Sequence, residues 1–313
     1  MKVYIFRRLL LLIPIVFGVT TITFIMIHSI PGDPLELLYG QSKQLSIEEK
    51  ERISESLGLN DPLMVQYFRY IGNLFKGDMG ISIATRAPAT FEIFERLPDT
   101  LMLTGSSMLL VILISVPLGV LSALKRGTLI DNIAMSGALV GVSMPAFWFG
   151  IMLLLIFGLY LGWLPTGGQG KTTVELVKSL ILPSVTLSLI LVGLLTRMVR
   201  SSMLEVLNKD YVRTANSKGL NSWNVVFKHA LPNAFIPILT VISGQLAILL
   251  GGAVIIEAVF SWPGIGRLAV NSIFRRDYQI VTGVVLILTA MVISVNLFTD
   301  ILYSFIDPRI RLQ

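Results

Sequence analysis

Six apolar segments, each long enough to cross a lipid bilayer, constrain the fold of this chain more than any other feature. A helix needs about 20 apolar residues to cross the hydrocarbon layer. The segments comprise residues 9–30, 101–124, 133–161, 180–196, 234–256 and 280–305. Because backbone polar groups find no water inside a bilayer, a segment that crosses one must satisfy its own hydrogen bonds as a helix. We therefore predict an all-α membrane protein with six transmembrane helices.

The composition fits a membrane location and excludes several other classes of protein. Hydrophobic residues make up 54% of the chain and charged residues only 14%, which is far more apolar than a soluble domain of this length. The net charge of +6 needs no nucleic-acid partner, since membrane proteins collect basic residues in their cytoplasmic loops. Without cysteine, the chain has no disulfides, no thiolate catalysis and no cysteine-ligated metal.

The apolar segments divide the chain into three parts. We predict an N-terminal membrane anchor at residues 1–30, an external helical segment at residues 31–98, and a core of five transmembrane helices at residues 99–313. Lys2, Arg7 and Arg8 precede the first apolar run, as they would in a signal peptide. That run is too long for a signal peptide and no small-x-small cleavage site follows it, so we expect it to remain as an anchor.

The distribution of basic residues predicts the orientation of the chain. If the N-terminus lies in the cytoplasm, thirteen of the 25 Lys and Arg residues fall in cytoplasmic segments, as the positive-inside rule requires. The segment 31–98 then lies outside, and long loops cross the membrane with little regard to charge. Arg267, Arg275 and Arg276 in a short outer loop favour the opposite orientation. We expect both termini on the cytoplasmic side.

The external segment contains two patterns that predict helices. In residues 46–57, Ser46 at the N-cap and Glu49 three residues later form a capping-box pattern. A second helix is predicted from Asp61-Pro62 to Phe75. Its apolar face consists of Leu63, Tyr67, Tyr70, Ile71 and Leu74. The two helices would form a small cap on the outer surface; a solvated insert without function is the alternative.

One segment between two apolar runs is longer than a simple connection needs and has the pattern of two short helices. It runs from Asp210 to Pro237 and reads DYVRTANSKGLNSWNVVFKHALPNAFIP. Gly219 is typical of a helix C-terminus, and Asn221 or Ser222 of the next N-cap. After that cap, an apolar stripe at i, i+3, i+4, i+7 is predicted; it consists of Trp223, Val226, Phe227 and Ala230. Such a surface indicates a docking site for a soluble partner, with a solvated basic loop as the alternative.

Several motifs that suggest enzymatic chemistry are incomplete. GGQGKTT at residues 167–173 lacks the first glycine of a phosphate-binding loop, because Pro165 occupies that position. The sequence around Ser143 is not G-x-S-x-G, and the two histidines, His28 and His229, lie near opposite faces of the membrane. No H-E-x-x-H motif is present, so we predict no catalytic and no metal site. Gly137 and Gly141 form a GxxxG pattern that is typical of close helix packing.

Polar residues inside the last two apolar segments are candidates for a translocation path. Such groups are costly when they face lipid. They are Thr240, Ser243, Gln245 and Asn296. Side chains of this kind either line a water-filled path or form hydrogen bonds between helices, and the sequence leaves both interpretations open.

A series of separated motifs in a fixed order matches one family of membrane proteins. The motifs are PGDP (31–34), LGLNDPLMVQYFRYIGNLFKGDMGIS (57–82), SMPAFWFG (143–150), LGWLPTGG (161–168), ILPSVTLSL (181–189), EAVFSWPGIGRL (257–268), RRDY (275–278) and DPRIR (307–311). The chain resembles the permease subunits of the ATP-binding-cassette (ABC) importers for dipeptides, oligopeptides and nickel. This resemblance implies the type I ABC importer permease fold in a bacterial or archaeal plasma membrane.

The resemblance also implies two functional regions. Residues 201–233 resemble the family's cytoplasmic EAA loop, whose short helix sits in a groove of the ATPase and transmits its closure. Arg213-Thr214-Ala215 stands where the general pattern has Glu-Ala-Ala, and His229 replaces an isoleucine. The coupling residues implied are Asp210, Arg213, Thr214, Ala215, Lys218, Gly219, Leu231 and Pro232. An outer gate or binding-protein contact is implied at Glu257, Phe260, Trp262 and Pro263.

The partners and the cargo follow from the same resemblance. It implies a homologous second permease, giving a heterodimer, two ATPase subunits that bind ATP and Mg, and an extracytoplasmic substrate-binding protein. The chain itself would carry no cofactor and would be a non-catalytic transport subunit. We expect an importer of dipeptides or short oligopeptides, with a nickel or metal-chelate importer as the alternative. A secondary transporter or channel independent of nucleotides is the alternative from another class.

Overall fold

The computed structural model describes residues 14–22, 24–25, 29, 51–52, 54–55, 60–82 and 84–306, and nearly all of them are helical. The helices are α1 (residues 14–22 and 24–25), α2 (Leu63–Phe75), α3 (Ala89–Leu124), α4 (Leu129–Ser143), α5 (Ala146–Leu153), α6 (Thr173–Leu207), α7 (Asp210–Ser217), α8 (Ser222–Asn224), α9 (Leu231–Val259), α10 (Ile265–Phe274) and α11 (Tyr278–Ile306). Two π-helices lie at Leu154–Tyr160 and Val225–Ala230. The predicted all-α membrane fold is confirmed.

Four helices of the described chain are each long and apolar enough to cross a membrane. They are α3, α6, α9 and α11, and they confirm the second, fourth, fifth and sixth predicted spans. Helices α3 and α6 also continue beyond the predicted apolar runs, so α3 begins inside the predicted external segment. Within the first predicted span, residues 9–30, the structure describes α1 and residue 29. The capping box predicted at Ser46 and Glu49 lies outside the described residues.

The third predicted span, residues 133–161, is not one continuous helix. Helices α4 and α5 meet at a sharp break, where the two axes are bent by 103°. Met144 there has an extended backbone, with φ −85° and ψ 133°. The cause is Pro145, since the residue before a proline is disfavoured in the helical region and proline itself donates no backbone hydrogen bond. The single span predicted from the apolar run is therefore corrected to a broken pair.

Residues 99–263 and 292–306 belong to one compact unit, in which α6 packs against α4, α5 and α9. Small residues allow this close packing. A Cβ atom on Gly193 of α6 would lie 2.4 Å from the carbonyl oxygen of Ala138 on α4, and one on Gly141 would lie 3.3 Å from that of Leu189. The packing predicted for the GxxxG pattern is thus present at Gly141, whereas no described atom lies within 4 Å of a Cβ on Gly137.

The described residues up to 98 and residues 264–291 form the other unit. Its core joins the start of α3 to α10 and the start of α11, and it is formed by Ala89, Ile93, Ile265, Leu268, Ala269, Ile280 and Val284. The buried carboxylate of Asp277 accepts hydrogen bonds from the hydroxyl of Ser82 and the backbone N–H of Ala84. The helix predicted from Asp61-Pro62 to Phe75 is confirmed as α2.

Candidate coupling surface and membrane path

The segment after α6 begins with the short helix α7, which is anchored on one side only. Val212 and Ala215 are buried in a small cluster with Val225. Partly buried residues at the end of α6, Val206 and Leu207, pack against the same cluster. The opposite side of α7 is exposed and carries Asp210, Arg213 and Thr214, with Lys218 just after the helix. Of the predicted coupling residues in α7, Ala215 is therefore an anchor and the others form a surface.

A tight turn at Gly219 joins α7 to α8. Gly219 has φ +77°, a left-handed conformation that glycine adopts without steric cost. Its N–H donates to the carbonyl oxygen of Asn216 at 3.0 Å. Two residues later, the Asn221 side chain accepts a hydrogen bond of 3.1 Å from the N–H of Trp223. The helix stop predicted at Gly219 is confirmed, and of the two predicted N-caps the structure selects Asn221.

The apolar stripe predicted after this cap is only partly correct. Val226 and Ala230 are buried as expected, together with Val225, but Trp223 and Phe227 are 62% and 50% exposed. The reason is that Val225–Ala230 is a π-helix, whose i→i+5 bonding changes the face on which each residue falls. Trp223 and Phe227 stack on each other instead, with ring centroids 5.4 Å apart and planes 10° from parallel.

The membrane helix predicted at residues 234–256 begins earlier, because the chain has no break at Leu231-Pro232. The π-helix passes directly into α9, in which Pro232 occupies the first turn, where a missing N–H is tolerated. Leu231 packs against the buried apolar cluster that includes Val226, Ala230 and Ala234, and Pro232 is exposed. The helix that carries the aromatic pair therefore runs without a break from Ser222 through the π-helix to Val259.

We call seven exposed residues of this region the coupling surface. An aromatic pair with a basic rim suits docking to a partner that offers an apolar groove and acidic groups. The surface consists of Tyr211, Arg213, Lys218, Leu220, Trp223, Phe227 and Lys228, all exposed. Arg213 is only loosely paired with Asp210, at 3.9 Å and with both side chains exposed, so its guanidinium is available to a partner.

A buried ion pair that no sequence motif predicts lies in the same unit. Asp131, at the start of α4 and 3% exposed, accepts two hydrogen bonds from Arg200 of α6, at 2.7 and 2.8 Å. It also accepts hydrogen bonds from the Ser122 hydroxyl on α3 and from the N–H of Gly127. One carboxylate thus joins three helices. The sequence carries one sign of this pair: Asp131 stands just before the apolar segment 133–161, and Arg200 stands just after the segment 180–196.

The predicted path residues receive unequal support from their positions. Thr240 and Ser243 lie on α9, but their side chains are outside the described residues. Gln245, on the same helix, has a buried side-chain oxygen without a hydrogen-bond partner among the described residues. Asn296 is half-buried on α11. An unsatisfied buried amide in a membrane helix is costly, and the place of these four residues on a path stays a prediction.

The predicted gate residues are mostly part of the core. Glu257, Phe260 and Trp262 are 0%, 1% and 0% exposed, and Pro263 is half-buried. Glu257 accepts a 2.6 Å hydrogen bond from the Thr100 hydroxyl. The first three side chains are therefore buried inside this unit, and an outer gate or binding-protein contact at these positions stays a prediction.

Two further contacts fix the loop that carries these residues. The Trp262 indole N–H donates to the carbonyl oxygen of Asp99 at 2.9 Å, and the Phe260 carbonyl oxygen accepts from the N–H of Gly168 at 2.9 Å. The GGQGKTT sequence therefore packs against this loop, and its last part, Thr172 with Glu175, forms the capping box of α6.

Comparison with protein families decides the classification. The family described as binding-protein-dependent transport system inner membrane component matches residues 115–312. The N-terminal part of the same membrane component matches residues 1–104. The chain belongs to this permease family.

Individual relatives match the permease over almost its whole length. The dipeptide transport system permease protein DppB of Alkalihalophilus pseudofirmus is 44% identical, covering 99% of this chain and 100% of the relative. The oligopeptide transport system permease protein AppB of Bacillus subtilis is 41% identical with the same coverage. The glutathione transport system permease protein GsiC of Escherichia coli is 40% identical, covering 98% of each chain.

Solved structures share the fold of the permease. A structure of the methionine ABC transporter MetNI in an inward-facing conformation has a TM-score of 0.57 and 19% identity, covering 69% of this chain and 97% of the other. An amino acid ABC transporter determined with histidines has a TM-score of 0.50 and 18% identity, covering 71% and 95%. The type I importer permease fold is thus confirmed, and the family implies ATPase and binding-protein partners in general.

Proposed function

We propose that this permease forms half of the translocation path of an ATP-driven importer of dipeptides or short oligopeptides. The observation that carries the proposal is the coupling surface, an exposed aromatic pair with a basic rim on a helix that runs without a break into α9. The cargo rests on the permeases named for dipeptides, di- and tripeptides and oligopeptides, which are 40–44% identical over at least 98% of this chain.

In the proposed mechanism, hydrolysis takes place on two ATPase subunits, which bind ATP and Mg, and this chain carries neither catalytic residue nor cofactor. Trp223 and Phe227 enter an apolar groove of one ATPase, while Arg213 and Lys218 meet acidic groups on its rim. Closure of the ATPases then pushes on the short helices. The turn at Gly219 holds α7 against the end of α6, so the push reaches both α6 and α9.

The other components follow the same scheme. A homologous second permease completes the path, giving a heterodimer, and a binding protein delivers the peptide from outside. Both termini lie in the cytoplasm. Gln245 is the proposed contact for the polar backbone of the cargo. Its side-chain oxygen is buried here and has no hydrogen-bond partner among the described residues, so opening of the path is needed to bring it to the cargo. Glu257, Phe260 and Trp262 act from inside the core, as a rigid support of the outer loops.

Substrate-dependent ATP hydrolysis tests this function. The complex would be reconstituted with its cognate binding protein and titrated with dipeptides, longer peptides, glutathione and Ni²⁺. We expect dipeptides or short peptides to stimulate hydrolysis and to enter the vesicles. Stimulation by Ni²⁺ alone would assign the permease to metal uptake, the second candidate. Uptake without any ATP requirement would refute an ABC importer in favour of a secondary transporter or channel.

A further inference from the structure

Helix α2 has an apolar sector that is wider than its packing partner can cover. At about 100° per residue, Met64, Phe68 and Phe75 fall within about 40° of each other on one side of the helix. They are 69%, 65% and 84% exposed. Three large apolar side chains in one exposed stripe require an apolar partner.

The neighbouring side of α2 packs against α1. The Tyr67 hydroxyl lies 2.5 Å from that of Thr21, and its ring meets those of Phe17 and Phe24 at centroid distances of 5.9 and 5.2 Å. Tyr70 contacts Phe24 at 6.0 Å.

These contacts place α2 at a defined depth. The first apolar segment, residues 9–30, has its midpoint between residues 19 and 20. With a rise of 1.5 Å per residue, Phe24 lies about 7 Å from that midpoint, whereas the hydrocarbon layer extends about 15 Å to each side of its centre. A helix that packs on Phe17, Thr21 and Phe24 therefore lies at the depth of the hydrocarbon layer and not in the water above it.

The remaining features of α2 and α1 fit the same location. Arg69 is the one charged residue in the sequence of α2, and it is paired with Asp61. It lies on the side of the helix away from the apolar stripe. On α1, Phe17 and Ile22 are themselves 52% and 61% exposed, so α1 also presents large apolar side chains to its surroundings.

We propose that α2 is embedded in the bilayer beside α1, with Met64, Phe68 and Phe75 in contact with lipid acyl chains. The helix is amphipathic and lies in the membrane without crossing it. The segment expected to form a cap in the outer aqueous phase thus contributes to the membrane domain through this helix. The second permease, which would also offer an apolar surface, is the competing occupant.

The absence of cysteine from the chain allows this to be tested with single nitroxide labels. Met64→Cys, Phe68→Cys and Phe75→Cys would be labelled in the full complex in vesicles, with Arg69→Cys as the matched control on the polar side of α2. Power saturation then compares collision with oxygen, which concentrates in lipid, and with a water-soluble nickel chelate.

We expect the ratio of oxygen to nickel-chelate collisions to be several-fold higher at the three apolar positions than at the control. Equal access of the nickel chelate to all four labels would place α2 in water and overturn the proposal. Loss of both kinds of collision at positions 64, 68 and 75 would also overturn it, because a protein surface such as the second permease would then cover the stripe.

Discussion

The left-handed turn at Gly219 provides a sharp test of how the coupling surface works. Gly219 has φ +77°, and no atom of the described chain lies within 4 Å of the position that a Cβ would occupy. A side chain at this position therefore meets no other part of the described chain, and its cost to the fold of the turn arises from the backbone conformation. Because backbone strain and not packing sets this cost, the free-energy cost of a substitution at position 219 can be estimated.

An L-residue in the left-handed region costs roughly 1–2 kcal/mol, and a β-branched residue costs more because its χ1 rotamers are restricted. A loss of 1–2 kcal/mol changes the population of the turn by a factor of about 5–30. We therefore expect Gly219→Ala to weaken docking of the ATPase by at most this factor, and Gly219→Val to weaken it further. Gly219→Asn should stay close to wild type, since asparagine tolerates this region best.

The assay is substrate-stimulated ATP hydrolysis and uptake in vesicles, together with the affinity of the ATPase for the permease. Gly105→Ala is the matched control. Gly105 lies inside α3 and also has open space around it, but its helical backbone accepts alanine with a small gain in stability. If Gly219→Val retained full uptake and substrate-stimulated hydrolysis, the turn would not transmit the closure of the ATPase and the reasoning would fail.

Two further substitutions test the packing of the membrane core. Gly193→Ala should lower the midpoint of thermal unfolding in detergent, because its Cβ would lie 2.4 Å from the Ala138 carbonyl oxygen, whereas Gly137→Ala has open space and should be neutral; equal effects would contradict the packing. Arg200→Met leaves the buried Asp131 carboxylate without its cation and should reduce both stability and uptake, with partial recovery in Arg200→Lys. Uptake unchanged in Arg200→Met would exclude a role for the pair.

The sequence predicted the features that depend on local rules. Helices at four apolar segments follow from length and composition, and the stop at Gly219 with the N-cap at Asn221 follows from backbone and side-chain preferences. Helix α2 was likewise predicted from its amphipathic pattern. The depth of α2 in the membrane was not predicted. A periodic apolar face shows that a helix needs an apolar partner, but it does not show whether that partner is protein or lipid.

Two predictions were wrong because they assumed one continuous helix for an apolar segment or one helical period for an apolar stripe. Pro183 lies inside the continuous helix α6 whereas Pro145 separates α4 from α5, so a proline in an apolar run does not by itself predict a break. The π-helix at Val225–Ala230 altered the face assigned from a period of 3.6 residues. The pairing of Asp131 with Arg200 and the burial of Glu257 depend on tertiary contacts between distant parts of the chain, which one sequence does not reveal.

Direct contact between the coupling surface and an ATPase is the central claim, and site-specific photocrosslinking measures it. A benzophenone amino acid would replace Phe227 and, as a control, Tyr160, which is 81% exposed and is predicted to lie at the outer end of the third apolar segment. We predict that irradiation of the full complex joins the label at position 227 to an ATPase subunit and that the label at position 160 gives no such product. Absence of an ATPase crosslink from position 227 in an active complex would contradict the claim.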